Sequence, residues 1–228
     1  MRTVWITRAL PAAEATAGRL RAMGLEPVIA PLLEARPVGD GPIDLAGAGA
    51  VAFTSANAVR AFAARSSLRA TRVFAVGEAT AAAARTAGFA DVLSADGDVA
   101  ALAEAIGLHK NQLGGAVLHA GAAEPAGDLV GALAARGIEA RRLALYETVP
   151  AALDPEMPTH LPDIDMALVY SPKAGRILAH ILARTPAPSL SVLCMSEAVA
   201  APLRGLPLAA LSVAASPDED SLLSLLGR

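Results

Sequence analysis

The residues of this chain best placed for chemistry are hydroxyls, amides and a few cations where apolar strands give way to helices. They are Thr7 with Arg8, Thr54 and Ser55 with Asn57, Gly77 with Thr80, Ser171 with Lys173, and Ser196. Two stretches carry the signal most fully, Val51-Ala-Phe-Thr-Ser-Ala-Asn-Ala-Val-Arg60 and Ala167-Leu-Val-Tyr-Ser-Pro-Lys-Ala-Gly-Arg176. Each is a short apolar run that stops at a serine and turns at once into a helix. In the second, Ser171 is a good N-cap and Pro172 fits the first helical position. A helix start leaves backbone N–H donors and a partial positive charge at a strand end, which suits an anion. Two such starts in similar settings predict a cleft that holds a large anionic ligand. Taken singly, each serine reads as a plain helix cap.

Other chemistries lack their residues. No Gly-x-Gly-x-x-Gly follows a strand, and there is no Walker loop and no His/Cys/Asp cluster at metal spacing, so no metal is expected. His109, His119, His160 and His180 stand apart from one another and read as surface or strand-end residues. Without a Gly-x-Ser-x-Gly elbow, Ser55 and Ser171 read as caps and anion contacts rather than nucleophiles. Glu78 and Glu197 fall in the first turn after Gly77 and Ser196, as partners for the helix dipole. Tyr146, with Glu147 and Thr148, follows the apolar run Leu143-Ala-Leu145 and precedes a proline-rich stretch. In a chain with 3% aromatic residues it stands either at a ligand's mouth or half-buried on a connecting strand.

The elements that must position these groups alternate between strand and helix, which predicts parallel sheets with crossover helices. Strands are expected at 4–7, 26–30, 32–37, 50–53, 72–76, 91–93 and 116–119, and alternation resumes from Asp165. Helices are expected at 11–23, 55–65, 77–87, 99–106, 125–136 and 219–226. Glycines Gly24, Gly88 and Gly137 stop three of the helices. Pro150 to Asp163, with four prolines, reads as a linker.

The chain also repeats itself. Arg-Ala-Met-Gly24-Leu-Glu matches Ala-Ala-Arg-Gly137-Ile-Glu, 137 − 24 = 113 residues on, and Val4, Leu20, Glu34 and Pro37 meet Val117, Leu133, Glu147 and Pro150 at that offset. Ser55 matches Ser171 at 116, and Phe74-Ala-Val-Gly-Glu-Ala-Thr-Ala81 matches Leu193-Cys-Met-Ser-Glu-Ala-Val-Ala200 at 119. Ordered matches at slowly growing offsets predict a duplication of one α/β unit. The repeat leaves open whether each copy is a domain or the first piece joins the last.

Composition bounds the function. The chain has 228 residues, enough for one large or two small α/β domains. Hydrophobic content of 54% and mean hydropathy of +0.46 come largely from alanine, and no apolar run approaches the roughly 20 residues of a membrane span. A net charge of −3 argues against a nucleic-acid binder. The opening residues do not read as a signal peptide, and the lone Cys194 excludes an internal disulfide; a cytoplasmic protein is expected.

Several of these stretches resemble one family, uroporphyrinogen-III synthase, over nearly the whole chain. They are Ile6-Thr-Arg8, Met23-Gly-Leu-Glu-Pro-Val-Ile-Ala-Pro31, Phe53-Thr-Ser-Ala-Asn-Ala-Val59, Ala75-Val-Gly-Glu-Ala-Thr-Ala81, Gly137 followed by Leu145-Tyr-Glu-Thr148, and Tyr170-Ser-Pro172. The resemblance implies two flavodoxin-like α/β domains with parallel sheets, joined by a two-stranded ladder of residues about 32–37 and 143–150. One domain would comprise 1–35 with 151–228, the other 36–150. It implies a monomeric, cofactor-free lyase that closes hydroxymethylbilane, a tetrapyrrole with eight carboxylates, to uroporphyrinogen III, losing water and inverting ring D. Tyr146 aligns with a family tyrosine thought to assist departure of the hydroxyl. Thr7, Arg8, Ser55, Asn57, Gly77, Thr80, Ser171, Lys173 and Ser196 become substrate contacts, with Asn57 where some members have Arg. Ala198 and Val199 replace threonines common in the family, and Ser196 stands where glycine is common. The rival expectation is a non-catalytic two-lobed binder of an anionic metabolite or tetrapyrrole.

Overall fold

The structure is a computed structural model that describes residues 1–154 and 157–227. In chain order its first elements are β1 (Thr3–Ile6), α1 (Ala12–Ala22), β2 (Glu26–Ile29), β3 (Leu33–Pro37), β4 (Ala48–Phe53), α2 (Ala56–Arg65), β5 (Arg72–Ala75) and α3 (Glu78–Thr86). There follow β6 (Val92–Ser94), α4 (Val99–Leu108), β7 (Ala116–Ala122), α5 (Leu129–Ala134) and β8 (Ala140–Pro150). The last are α6 (Met157–His160), β9 (Met166–Val169), α7 (Pro172–Arg184), β10 (Ser191–Cys194), α8 (Glu197–Ala200), β11 (Ala210–Val213) and α9 (Glu219–Leu223).

Contacts divide the chain into two compact units: unit 1 is Met1–Glu34 with Val149–Arg228, and unit 2 is Ala35–Thr148. The chain passes from one to the other within β3 and again within β8. Unit 1 holds the sheet β11-β10-β9-β1-β2, parallel throughout. The second sheet runs β3-β8-β7-β4-β5-β6, with β8 through β6 parallel. The β3–β8 pair is antiparallel: Ala151 N–H donates to Leu32 O and Val38 N–H to Leu145 O, so one strand number rises as the other falls. Arg36 and Glu147 face each other on that ladder at 3.9 Å.

Strands covered on both faces are apolar along their whole length, and β4, β9 and the start of β7 show it. In both sheets the strand order reverses once. In unit 1 the chain runs from β1 to β2 on one side and from β9 through β11 on the other. In unit 2, β7 leads to β8 on one side and β4 through β6 lie on the other. Reading unit 2 from β7 therefore reproduces the strand order of unit 1, and the sequence repeat encodes that. The 113-residue offset superimposes β1 on β7, and the 116-residue offset superimposes β4 on β9. Gly24 and Gly137, with φ of +74° and +64°, end α1 and α5 in the left-handed conformation that only glycine adopts cheaply.

The core of unit 2 centres on Phe53, Phe62 and Phe89, whose ring centroids lie 5.5 to 6.0 Å apart. In unit 1, α7 packs hard on α8: a Cβ at Gly175 would lie 2.5 Å from the Val199 carbonyl oxygen. Cys194 is buried on β10, and desolvation pushes its thiol up to about 12, which leaves it a poor nucleophile.

Two expectations fail for physical reasons. The helix expected at 125–136 begins only at Leu129, because Asp128 accepts from Gly131 N–H at 2.9 Å and outcompetes Pro125 as the start. Residues 125–128 remain as loop. The proline-rich stretch is not an open linker: α6 and a helical turn at Leu161–Asp163 bury Met157, Leu161 and Ile164 in the unit 1 core. Pro155 and Glu156 lie outside the described residues. Elsewhere β8 starts three residues earlier than expected, and the C-terminal helix tightens to a 3₁₀ turn after Leu223. Phe62→Ala is expected to destabilise unit 2 by about 3–5 kcal/mol, because the aromatic cluster cannot collapse into the space. Denaturant unfolding checks this.

Candidate functional site

In open parallel sheets ligands bind beyond the carboxyl ends of the strands, where the order reverses. Unit 2 has a pocket of about 540 Å³ there, between the ends of β4 and β7. Thr54 and Ser55 enter it from β4, Val76 from the end of β5, Tyr146 and Thr148 from β8, and the 124–127 loop closes one side. The start of α4, at Asp98, closes the other.

Tyr146 is the best-placed reactive group. Its ring packs into the unit 2 core and the residue is 9% exposed. Its hydroxyl lies 2.8 Å from Ser55 Oγ, and Ser55 in turn accepts from Ala58 N–H at 3.1 Å as the cap of α2. When Ser55 donates its own proton to Tyr146, the phenolic proton is left to point into the pocket. A bulge in the β7–β8 pairing at Gly121/Ala122, which pairs Ala122 with Tyr146, aims the ring that way.

The sequence predicts helix-start amides and hydroxyls suited to an anion, whereas the charged side chains at the pocket are acidic. The lining holds two acids, Asp98 and Glu124, and no Lys or Arg. Hydrogen bonds from Ala101 and Ala100 N–H hold the Asp98 carboxyl below the usual range, so it stays ionised and occupies the first donors of α4. Basic charge lies elsewhere on this side. Arg60, on the exposed face of α2, donates to Asn57 Oδ1 at 2.5 Å and so places a cation one turn into the helix that Ser55 caps. That Asn57–Arg60 spacing of three was visible in the sequence but went unread. Asp98 was readable too, as an aspartate directly before an apolar helical run.

Gly77 caps α3 with φ −164°, a conformation open to any residue, and a Cβ there would meet nothing within 4 Å. The fold itself does not demand glycine at this position. Thr80 is buried in α3, at 5% exposure. Glu78 pairs with Arg85 at 2.6 Å.

In unit 1 the corresponding strand ends carry Thr7 and Arg8 on one side of the reversal and Tyr170 and Ser171 on the other. Thr7 is buried and donates to Leu168 O at 2.6 Å, pinning β1 to β9. Arg8 lies over the Tyr170 ring at 4.5 Å and pairs with Glu219 at 3.1 Å. Ser171 accepts from Ala174 N–H at 3.2 Å, matching Ser55, and Lys173 sits in the first turn of α7. Ser196 caps α8 with its backbone alone, its hydroxyl making no cap bond, and Glu197 pairs with Arg204 as Glu78 pairs with Arg85. Thr7, Arg8 and Ser171 thus stand at the reversal of unit 1 and Ser55 at that of unit 2, while Gly77 and Thr80 follow β5 and Ser196 follows β10, one strand further out. Within unit 2, Ser55 and Tyr146 are brought into contact.

His119 was missed as a buried group. It sits on β7 at 2% exposure, its Nε2 3.4 Å from Thr54 Oγ1. Burial lowers its pKa below the ordinary 6.5, the Arg142 charge adds to this, and Asp128 opposes it. Among the described residues no group of His, Cys, Asp and Glu could hold a metal ion, and no helix is long and apolar enough to cross a membrane.

Two parallel α/β units with hydroxyls at their strand reversals define a ligand-handling protein of the doubly wound, flavodoxin-like kind. The family model described as uroporphyrinogen-III synthase HemD matches residues 14–224, and the chain belongs to that family, the cyclising lyases of porphyrin biosynthesis. Among solved structures it is similar to uroporphyrinogen-III synthetase from Helicobacter pylori, at 18% identity and TM-score 0.65, covering 99% of this chain and 98% of that one. It also matches uroporphyrinogen III synthase from Thermus thermophilus, at 20% identity and TM-score 0.42, over 100% and 96% of the two chains. No curated protein matches the sequence significantly.

The depressed His119 pKa has a consequence for stability. The unfolded chain takes up the proton near pH 6.5 while the folded chain does not. Stability is therefore unaffected above that pH and falls as pH drops from 6.5 toward the lowered value. Urea midpoints at pH 7.5 and 5.5 should show a larger acid loss for the native chain than for His119→Gln.

Proposed function

We propose that this chain closes hydroxymethylbilane to uroporphyrinogen III, with the hydroxymethyl end of the substrate entering the unit 2 pocket beside Tyr146. The observation that carries the reading is the Ser55–Tyr146 contact at 2.8 Å on the pocket wall. The substrate ionises readily to an azafulvene, so the protein has mainly to hold it, fold it and assist the hydroxyl's departure. Tyr146 gives its proton to the leaving hydroxyl, which departs as water. The ring carbon that closes the macrocycle sheds the proton that restores the balance.

Asp98 and Glu124 bear on orientation. Two carboxylates repel the acetate and propionate groups and accept hydrogen bonds from pyrrole N–H, so the pocket favours the nitrogen edge of a ring. The acidic side chains then fall to helix starts and cations: Ser55 on the pocket wall, Asn57 with Arg60, and Gly77 in unit 2, and Arg8, Ser171, Lys173 and Ser196 in unit 1. Thr7 and Thr80, both buried, hold the strand and helix that present these contacts. The units act as the two domains of a monomeric enzyme of the cytoplasm, with their boundary at the ladder strands β3 and β8.

The deciding assay supplies hydroxymethylbilane and separates product isomers. Type III product is expected, whereas the spontaneous type I isomer alone would leave only a non-catalytic tetrapyrrole binder. Tyr146→Phe is expected to lower kcat about 10²-fold, the scale of a positioned proton donor; unchanged turnover removes Tyr146 from the chemistry. Gly77→Ala should leave the melting temperature nearly unchanged, since Ala fits that backbone, but raise KM about tenfold if a substrate group packs against the α3 start.

A further inference from the structure

The strand reversal of unit 1 holds a cluster of which the reaction as described uses only Arg8. Arg8 lies over Tyr170 and donates from Nη1 to Glu219 Oε1 at 3.1 Å. Glu219 is fixed in its turn: it also accepts from Thr16 Oγ1, and Arg19 Nη1 lies 3.6 Å from its other oxygen. Arg19 is held further by Asp220. The guanidinium has five donors and this network uses one of them, while the ring beneath fixes its plane. Arg8 remains 30% exposed, so part of its fork faces outward in a set orientation.

The second feature is Tyr170. Its hydroxyl is buried and makes no hydrogen bond. Burial raises its pKa, and the Glu219 charge adds to this; Thr16 and Arg8 pull the other way but stand outside hydrogen-bond geometry. The phenol therefore stays protonated, and it serves Arg8 through its ring rather than as an anion.

We infer that Glu219 is the positioning residue for Arg8, holding its guanidinium on Tyr170 with free donors presented to one carboxylate of the substrate. This rests on reading Arg8 as a substrate contact. An unrestrained arginine loses side-chain freedom when it grips a carboxylate, whereas one already clamped by a ring and an acid does not, so the clamp raises affinity. Glu219 touches no reacting atom, and its effect should appear in KM rather than in kcat.

The test is a double-mutant cycle on hydroxymethylbilane turnover to the type III isomer, with thermal unfolding of each variant as a folding check. Arg8→Ala should raise KM about tenfold, the loss of one charge-assisted contact. Glu219→Ala should raise KM by a comparable factor while kcat changes less than about twofold. Glu219→Gln, whose amide oxygen still accepts from Arg8 and Thr16, should restore KM to within about threefold of the native value. In the Arg8→Ala background, Glu219→Ala should add nothing. Equal KM penalties from Glu219→Ala with and without Arg8, or a native KM in Glu219→Ala, would overturn the positioning role. A native KM in Arg8→Ala would instead remove Arg8 from substrate binding, and the inference with it, while leaving the Tyr146 chemistry standing.

Discussion

A single change of direction in each sheet governs where everything else can go. Right-handed crossovers send helices to one face when the chain moves one way along a parallel sheet, and to the other face when it moves back. Between β4 and β7, and between β1 and β9, neighbouring strands therefore send their following segments apart and leave a crevice at their ends. Side chains just past those strands reach the crevice without further adjustment. Thr54 and Ser55 in one unit and Arg8 and Tyr170 in the other hold their places for this reason. The apolar runs behind them serve mainly to keep the strands covered on both faces.

The duplicated architecture has been put to two different uses. In unit 2 the crevice is an open pocket whose wall pairs a phenol with a serine and whose rim is acidic. In unit 1 the same place is filled by an arginine lying on an aromatic ring and tied to a carboxylate. The helix caps that begin α2 and α7 are nearly superimposable in their bonding, at 3.1 and 3.2 Å. So are the exposed pairs Glu78–Arg85 and Glu197–Arg204, one repeat apart. What stands opposite the cap differs: Tyr146 from β8 in unit 2, and Arg8 at the end of β1 in unit 1.

How far the sequence disclosed this follows from the range of each interaction. Alternating strands and helices, the glycine stops and the offset repeat are local or periodic, and they foretold the parallel sheets and the matched starts at Ser55 and Ser171. Tyr146 was legible as a candidate because aromatic residues are scarce. What escaped depends on pairings distant in the chain. Glu219 lies 211 residues from Arg8 and 203 from Thr16, so nothing in its neighbourhood marks it as more than a first-turn acid of a short helix. His119 read as a strand-end residue because its surroundings, among them Thr54 and the charges of Arg142 and Asp128, are not adjacent to it in sequence. The proline-rich stretch misled for the opposite reason: its composition suits an open linker, yet Met157, Leu161 and Ile164 recur where one face can be buried.

The distribution of charge sharpens how such a scaffold can select among ring closures. A polycarboxylate meeting uniformly cationic walls would be gripped in many orientations of similar energy. Here the charged side chains that line the pocket beside Tyr146 are the acids Asp98 and Glu124, and the cation Arg60 stands outside it. For a substrate bound as proposed, repulsion inside and attraction outside favour poses in which acetate and propionate arms turn outward and a ring nitrogen turns inward. An interaction of this kind need not be strong in any one contact. Asp98 is solvent-exposed, so each repulsion is screened and the discrimination comes from several such contacts acting together. Folding a flexible chain into one orientation is then achieved as much by the charges the pocket refuses as by those the helix starts accept.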